Sequence, residues 1–126
     1  MANDDHVSRL RQGVVAWNAW RREHPDVDPD LRNSVLRGLD LSGADLVDVD
    51  LRDADLRGTM LRGARLRRAR LDGANLFKAV LDDADLESAV LTAARFLNCA
   101  QLIVARNWQS ARRDPALECG APLPAA

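Results

Sequence analysis

The chain has 126 residues, a formal net charge of −1 and an aromatic content of 4% with no tyrosine. This length corresponds to one domain, and the aromatic content excludes a large aromatic core, so aliphatic side chains must fill the interior. A charge so close to zero argues against a broad nucleic-acid-binding surface, which needs an excess of basic residues. No apolar run approaches the roughly 20 residues of a membrane-spanning helix, and the acidic start Met1–Asp5 is not that of a signal peptide.

Residues 4–23 are predicted to form a helix. Apolar residues recur there at the spacing of one helical face: Val7, Leu10, Val14, Trp17 and Trp20. Asn3 or Asp4 is the expected N-cap, and Pro25 and Pro29 end the helix and begin an extended linker. Two tryptophans on one face suit either a ligand site or packing against the rest of the fold, and packing is the favoured interpretation.

A strict period of five residues organises the chain from residue 29 to residue 98. Leucine occupies every fifth position: Leu31, Leu36, Leu41, Leu46, Leu51, Leu56, Leu61, Leu66, Leu71, Leu76, Leu81, Leu86 and Leu91. Phe96 takes the next position, a small residue lies two places before most of these leucines, and glycine recurs two places after them. Because this period is neither that of a helix nor that of a strand, each unit is predicted to be a short extended side and a corner. Identical sides then wind into a solenoid whose stacked coils bury the leucines.

Charged residues predict how many sides make one coil. Residues one coil apart stack about 4.8 Å apart, where opposite charges attract and like charges repel. A twenty-residue coil places these opposite pairs in register: Asp45/Arg65, Asp48/Arg68, Asp50/Arg70, Arg52/Asp72, Arg62/Asp82, Arg65/Asp85 and Arg67/Glu87. Within residues 34–98 it leaves one like pair, Arg37 with Arg57, whereas a fifteen-residue coil gives four like pairs and the same number of opposite pairs, seven. Four sides per coil are therefore predicted.

The repeating units resemble a known motif. Ser42–Leu46, Arg52–Leu56 and Asp72–Leu76 are similar to the A(D/N)LXX motif of the pentapeptide-repeat family. This resemblance implies the family's fold, an all-β solenoid that is a right-handed quadrilateral β-helix, here of about three and a half coils. The expected domains are an N-terminal capping helix and linker in residues 1–28, the β-helix in residues 29–98, and a C-terminal capping helix and tail in residues 99–126.

The repeat lapses after residue 98, and residues 99–113 are predicted to form a helix. Asn98 and Gln101 have the spacing of a capping box. Four residues form its apolar face: Val104, Ala105, Trp108 and Ala111. An open coil end exposes its apolar interior and unpaired backbone, so both terminal helices are expected to cover the coil ends. The predicted capping residues are Val14, Trp17, Trp20, Val104 and Trp108.

Two outward-facing features are candidate interaction sites. One is a possible interaction patch of apolar residues at outward positions: Met60, Phe77, Val80 and Leu97. The C-terminal helix or a second copy of the chain is favoured over another protein to cover it, because exposed apolar patches are seldom left bare. The other is a basic band: Arg57, Arg62, Arg65, Arg67, Arg68 and Arg70. It suits either an anion or nucleic-acid site or pairing with acidic residues one coil away, and pairing is favoured.

Residues that carry chemistry are sparse. His6 and His24 are expected at the surface rather than as metal ligands, Cys99 as a small core residue and Cys119 as an exposed thiol. No acidic residue is expected to be buried deeply enough to act as an acid or base. We therefore predict no catalytic residue, no cofactor, no metal and no enzyme activity.

The leading functional hypothesis is a non-catalytic scaffold for protein–protein interaction, with an unknown protein partner or a second copy of the chain, no membrane, and nucleic acid not expected. The family resemblance implies an alternative, because some members imitate duplex DNA and bind DNA gyrase, protecting it from quinolones or inhibiting it. Nucleic-acid binding through Arg57–Arg70 is the second alternative. With two cysteines and no disulfide framework, a cytoplasmic protein of bacterial type is expected.

Overall fold

The computed structural model describes residues 3–125. It contains three α-helices and two 3₁₀ helices in these residues: α1 (Asp4–Arg11), α2 (Val14–Glu23), α3 (Cys99–Leu102), and 3₁₀ turns at Trp108–Ser110 and Pro115–Leu117. The prediction of one helix over residues 4–23 is wrong, because Gly13 interrupts it with a φ of 111°, which a helix cannot accommodate. The predicted cap is confirmed, since the Asn3 side chain accepts hydrogen bonds from two backbone N–H groups of α1.

Parallel bridges connect residues one coil apart through the repeat region. From residue 30 to residue 95 every bridge joins two residues twenty positions apart, as in Asp30–Asp50, Asp45–Arg65 and Asn75–Arg95. One turn of the chain therefore takes twenty residues, or four five-residue sides. All thirteen leucines of the series are at most 2% exposed, which confirms that they point inward.

The residues two places before the leucines share the interior. Ala44, Ala54 and Ala64 are fully buried among them. Two polar residues also occupy such positions and are satisfied by the backbone, because the Ser34 hydroxyl donates to the Leu31 carbonyl and the Thr59 hydroxyl donates to the Leu36 carbonyl. These positions accept a short polar side chain whose hydroxyl bonds locally.

The corners have a left-handed backbone whatever residue occupies them. The residue two places after a leucine has a positive φ both at glycines, such as Gly38, and at other residues, such as Asp48, Arg68 and Ser88. A non-glycine residue in this region costs about 1 kcal/mol, which the burial of a leucine on each side outweighs. The corner N–H still donates to the next coil, as from Arg68 to the Glu87 carbonyl.

The chain leaves the regular coil after Arg95. Phe96 was predicted to take the next inward position, but it is 65% exposed, so this prediction is wrong. The next residues form α3 with the predicted capping box of Asn98 and Gln101. The Gln101 amide also donates to the carbonyls of Leu76 and Ala79, replacing hydrogen bonds that a regular side would make.

The coil then resumes, so the predicted helix over residues 99–113 is wrong beyond its first turn. Asp85 is bridged to Arg106 and Val90 to Arg112, at spacings of 21 and 22 residues. The first spacing marks one inserted residue, and the second marks two inserted residues in total. The inward positions are occupied by these residues: Leu102, Ala105, Trp108 and Ala111. Buried residues three positions apart are compatible with this coil as well as with a helix. The bridges to the previous coil show that the backbone here is coil and not helix.

The two cysteines form a disulfide, with an S–S distance of 2.00 Å between Cys99 and Cys119. The predictions of a core thiol and an exposed thiol are therefore wrong. The predicted helix hid this pairing, because a continuous helix would have carried the two residues apart. In the structure the chain instead goes once around the coil and returns to α3.

Candidate functional site

Helix α2 lies against the first coil, residues 30–49, through side chains that bond to its backbone. The Trp17 indole N–H donates to the Asp45 carbonyl at 2.8 Å, and this side chain is fully buried. The Asn18 amide donates to the Gly43 carbonyl and accepts from the Asp45 N–H. Arg21 donates to the Val47 carbonyl at 2.6 Å. These bonds occupy groups that a preceding coil would otherwise pair.

Three of the predicted capping residues lie on α2. Trp17 and Trp20 are buried, and Val14 packs against the core. At the other end Trp108 is 9% exposed, but Val104 is 43% exposed and contributes no buried side chain. The structure therefore places the Val104 side chain largely at the surface.

Two histidines surround Trp20. His6 and His24 have ring centroids 5.3 Å and 5.4 Å from that of Trp20. The Asp30 N–H donates to His6 Nδ1 at 3.0 Å, so this nitrogen must be unprotonated. Burial lowers the pKa of His6, and the carboxylates of Asp5 and Asp30 oppose this effect. His6, expected at the surface, is thus a half-buried acceptor that completes the backbone bonding of the first coil.

The hydrogen bond that His6 Nδ1 accepts predicts a loss of stability on acidification. Because the folded pKa of His6 lies below the unfolded value of 6.5, the unfolded chain binds more protons as the pH falls. Above pH 6.5 we expect His6 to have no effect on the melting temperature. Below pH 6.5 we expect the melting temperature to decrease, and this decrease should begin before the carboxylates titrate near about pH 4. His6→Asn, which keeps a neutral acceptor, should abolish the decrease between pH 6.5 and about 5. The same decrease in both proteins would contradict the assignment.

Carboxylates pair with the whole basic band. The six arginines each lie 2.6–3.9 Å from a carboxylate: Arg57 from Asp55, Arg62 from Asp82, Arg65 from Asp45, Arg67 from Asp85 and Glu87, Arg68 from Asp48, and Arg70 from Asp72. An arginine that already contacts a carboxylate offers a weaker site to a phosphate. The geometry therefore favours the interpretation of the band as internal ion pairs.

The predicted pairs between coils form in part. Four of the seven are present: Asp45/Arg65, Asp48/Arg68, Arg62/Asp82 and Arg67/Glu87. In two of the other three pairs the arginine contacts a carboxylate on its own coil, and in the third Arg65 contacts Asp45 on the preceding coil instead of Asp85 on the next. Arg52 bonds to Asp50, for example, at 2.7 Å. Flexible arginine side chains reach several carboxylates, so the register of the backbone fixes the coil and not the individual partner.

Asp85 departs from the prediction that no acid is buried, because it is 6% exposed. Burial raises its pKa, but hydrogen bonds from Asn107, from Arg67 and from the Glu87 N–H outweigh that effect and leave the pKa lowered. A carboxylate held ionised by three donors is a structural ion pair and a poor general acid. Asp85 therefore fixes the corner of the last coil.

The predicted apolar patch is arranged differently from the expectation. Met60 and Val80 are bridged as predicted, and Met60 is 36% exposed. Phe77 is 47% exposed, but its neighbour is Phe96 rather than Leu97, which packs against the core. The two rings meet edge to face with centroids 5.9 Å apart. We call Phe77 and Phe96 the aromatic corner.

Within the described residues no group of three or more histidine, cysteine or acidic residues is placed to hold a metal ion. Among the helices that the structure describes, none combines the length and the apolar character that crossing a bilayer requires. The aromatic corner, whose two rings are exposed and in contact, is the candidate functional site as an interaction surface.

The sequence model of the pentapeptide-repeat family matches residues 30–68 and 69–100 of this chain, with eight copies of the repeat. A pentapeptide repeat protein from the thylakoid lumen of Arabidopsis thaliana has 29% identity and a TM-score of 0.52, over 68% of this chain and 54% of that one. This chain thus spans about half the length of the Arabidopsis protein. The protein Rfr23 from the cyanobacterium Cyanothece 51142 has 26% identity and a TM-score of 0.37, over 72% of this chain and 65% of that one.

A pentapeptide repeat protein from Nostoc PCC 7120 has 32% identity and a TM-score of 0.32, over 71% of this chain and 76% of that one. Among curated proteins, none matches this chain.

Proposed function

Because this chain belongs to the pentapeptide-repeat family, we propose that it is a non-catalytic scaffold that binds a partner protein through the aromatic corner. The observation that carries the proposal is the exposure of both rings, 47% for Phe77 and 65% for Phe96, on a rigid solenoid. Aromatic side chains are the commonest anchors of protein interfaces. None of the described terminal segments covers these two rings.

The charges around the aromatic corner indicate the chemistry of the partner. Lys78 and Arg95 are the chain neighbours of the two rings, and the Lys78 Nζ lies 5.4 Å from the Phe77 ring centroid. Within residues 3–125 neither cation forms an ion pair, in contrast to the basic band. A second copy in a symmetric contact would bring like charges together. An apolar side chain flanked by carboxylates, on another protein, fits the corner better.

The experiment is a capture assay with matched variants. Phe77→Asp with Phe96→Asp removes the corner, and Val15→Asp places a negative charge at a side chain that is 86% exposed on α2. We expect one protein from the source cell to be captured by wild type and by Val15→Asp and lost with the double variant. The purified partner should then bind directly, with an affinity that falls on adding salt.

Two results would contradict the proposal. Equal capture by all three proteins would place the interaction elsewhere. A dimer of the wild-type chain in sedimentation velocity that the double variant abolishes would identify a second copy as the occupant. A supercoiling assay separates the gyrase alternative, because inhibition or protection of gyrase by both wild type and the double variant would favour DNA mimicry.

Nucleic-acid binding through Arg57–Arg70 receives no support from the ion pairs of that band. We further propose the finer features that the family implies, a right-handed coil closed by α1 and α2 at one end and by the residues after the coil at the other. The cytoplasmic location stays a prediction, and the Cys99–Cys119 disulfide removes one of its supports.

A further inference from the structure

The C-terminal end of the coil is covered by a short segment, residues 114–122, which we call the plug. The Arg113 guanidinium connects the plug to the last coil by donating to carbonyls on both. Its acceptors on the coil are Gln109 and Ala111, and those on the plug are Leu117, Glu118 and Pro122. Arg113 occupies the inward position five residues after Trp108 and lies 5.0 Å from its ring centroid.

Little apolar surface holds the plug in place. Leu117, at 7% exposure, is its buried leucine, and Cys119 and Ala121 are partly buried against the core. The internal hydrogen bonds of the plug are local, such as that from the Leu117 N–H to the Asp114 carbonyl. The coil, in contrast, buries thirteen leucines. Segments with few buried contacts open at a lower free energy than the core.

Two further attachments hold the plug: the Ala93 N–H donates to Asp114 Oδ2 at 3.0 Å, and a covalent bond joins the plug to α3. Cys119 in the plug is joined to Cys99 at the start of α3, and both residues are partly buried rather than enclosed. The disulfide closes a loop that contains the whole last coil, and the residues of Leu31–Leu91 lie outside that loop. Reduction therefore removes the covalent attachment of the plug, leaves it held by hydrogen bonds and by Leu117, and breaks no bond within the earlier coils.

We propose that the Cys99–Cys119 disulfide is a redox latch on the plug, so that reduction lets the C-terminal end open while the preceding coils stay folded. The reductant is a dithiol. One of its thiolates attacks a sulfur of the disulfide and forms a mixed disulfide, and its second thiolate resolves this intermediate. Two electrons and two protons pass to the chain, which gains two thiols, and the dithiol becomes a disulfide. The inference does not depend on the proposed partner.

Hydrogen exchange measured by mass spectrometry tests the latch, with dithiothreitol as the reductant and thiol counting to verify reduction. Peptides of the plug contain three amides with internal bonds, those of Leu117, Glu118 and Ala121. We expect their exchange to accelerate by about a hundredfold on reduction, as the lost loop closure implies. Peptides from residues 30–95 should exchange as before, because each coil is stabilised by the coils next to it and the last coil, which pairs with residues 83–91, stays in place when the plug opens.

The control is the double variant Cys99→Ser with Cys119→Ser, which should exchange rapidly in the plug with and without dithiothreitol. Unchanged plug exchange in a protein whose two thiols are free would overturn the proposal. Loss of protection throughout residues 30–95 would overturn it as well, since the disulfide would then support the whole fold. A disulfide that dithiothreitol fails to reduce in the folded protein is incompatible with a latch.

Discussion

Leu66→Asp should abolish cooperative folding at neutral pH. Leu66 is fully buried, and its neighbours Ala64 and Ala69 are fully buried too, so the new carboxylate would have no water and no cation beside it. Truncating a buried leucine costs about 2–5 kcal/mol. A buried unpaired charge adds several kcal/mol, and the sum reaches the whole stability of a typical domain, about 5–15 kcal/mol.

The position of Leu66 makes the defect spread. Its coil is bridged to the previous coil at Asp45–Arg65 and to the next at Arg65–Asp85. In a solenoid each coil is stabilised by its two neighbours, so disrupting this one leaves two short pieces. Neither piece buries enough apolar surface to fold alone. A thermal melt followed by circular dichroism should therefore show no transition.

Two matched variants separate the charge from the position. Leu66→Met conserves volume and should cost less than about 1.5 kcal/mol. Arg65→Ala removes a neighbour that is 62% exposed and 3.9 Å from Asp45, and should change the free energy of unfolding by less than about 1 kcal/mol. A Leu66→Asp protein that melts like wild type would contradict the inward orientation of the leucine series.

The sequence allowed prediction of the fold wherever the period of five was unbroken. Leu31 to Leu91 have the predicted orientation because burial of one leucine per side is the dominant free-energy term, and it repeats without interruption. The corners were predicted from glycine. Arg68 and Ser88 show that the coil imposes the corner conformation on other residues too.

Prediction failed where the period changed. Two inserted residues shift the last coil, so the inward positions Leu102, Ala105, Trp108 and Ala111 read as a helical face. The spacing of five between Trp108 and Arg113 is the remaining signal of the coil in this part of the sequence. The disulfide was not predicted for the same reason, because its two cysteines meet only when the segment between them goes around the coil.

The candidate site was predicted in part for the same reason. The outward position of Phe77 follows from the period of five, but its partner Phe96 occupies the position that continues the inward series. Whether an aromatic residue enters the coil depends on the next residues, and here Gln101 ends the side by bonding to the Leu76 carbonyl. The polar groups that cover the first coil, such as His6 and Asn18, carry no periodic signal at all.

Trp17→Ala should cause the largest loss of stability among substitutions in α1 and α2. The Trp17 side chain is fully buried, and the cost of truncating a buried tryptophan is about 3–5 kcal/mol. The substitution also removes the donor to the Asp45 carbonyl. We expect the melting temperature to fall and hydrogen exchange to accelerate most in residues 30–50, which face α2.

The contributions of ring size and of the indole hydrogen bond to stability can be measured separately. Trp17→Phe keeps an aromatic side chain and loses the indole N–H, so it should cost about 1 kcal/mol for the bond and somewhat more for the smaller ring. Val15→Ala on the same helix is the control, because Val15 is 86% exposed and its truncation should change stability by less than about 0.5 kcal/mol. If Trp17→Ala destabilised the protein no more than Val15→Ala, or if exchange accelerated equally in residues 70–90, α2 would not be what protects the first coil.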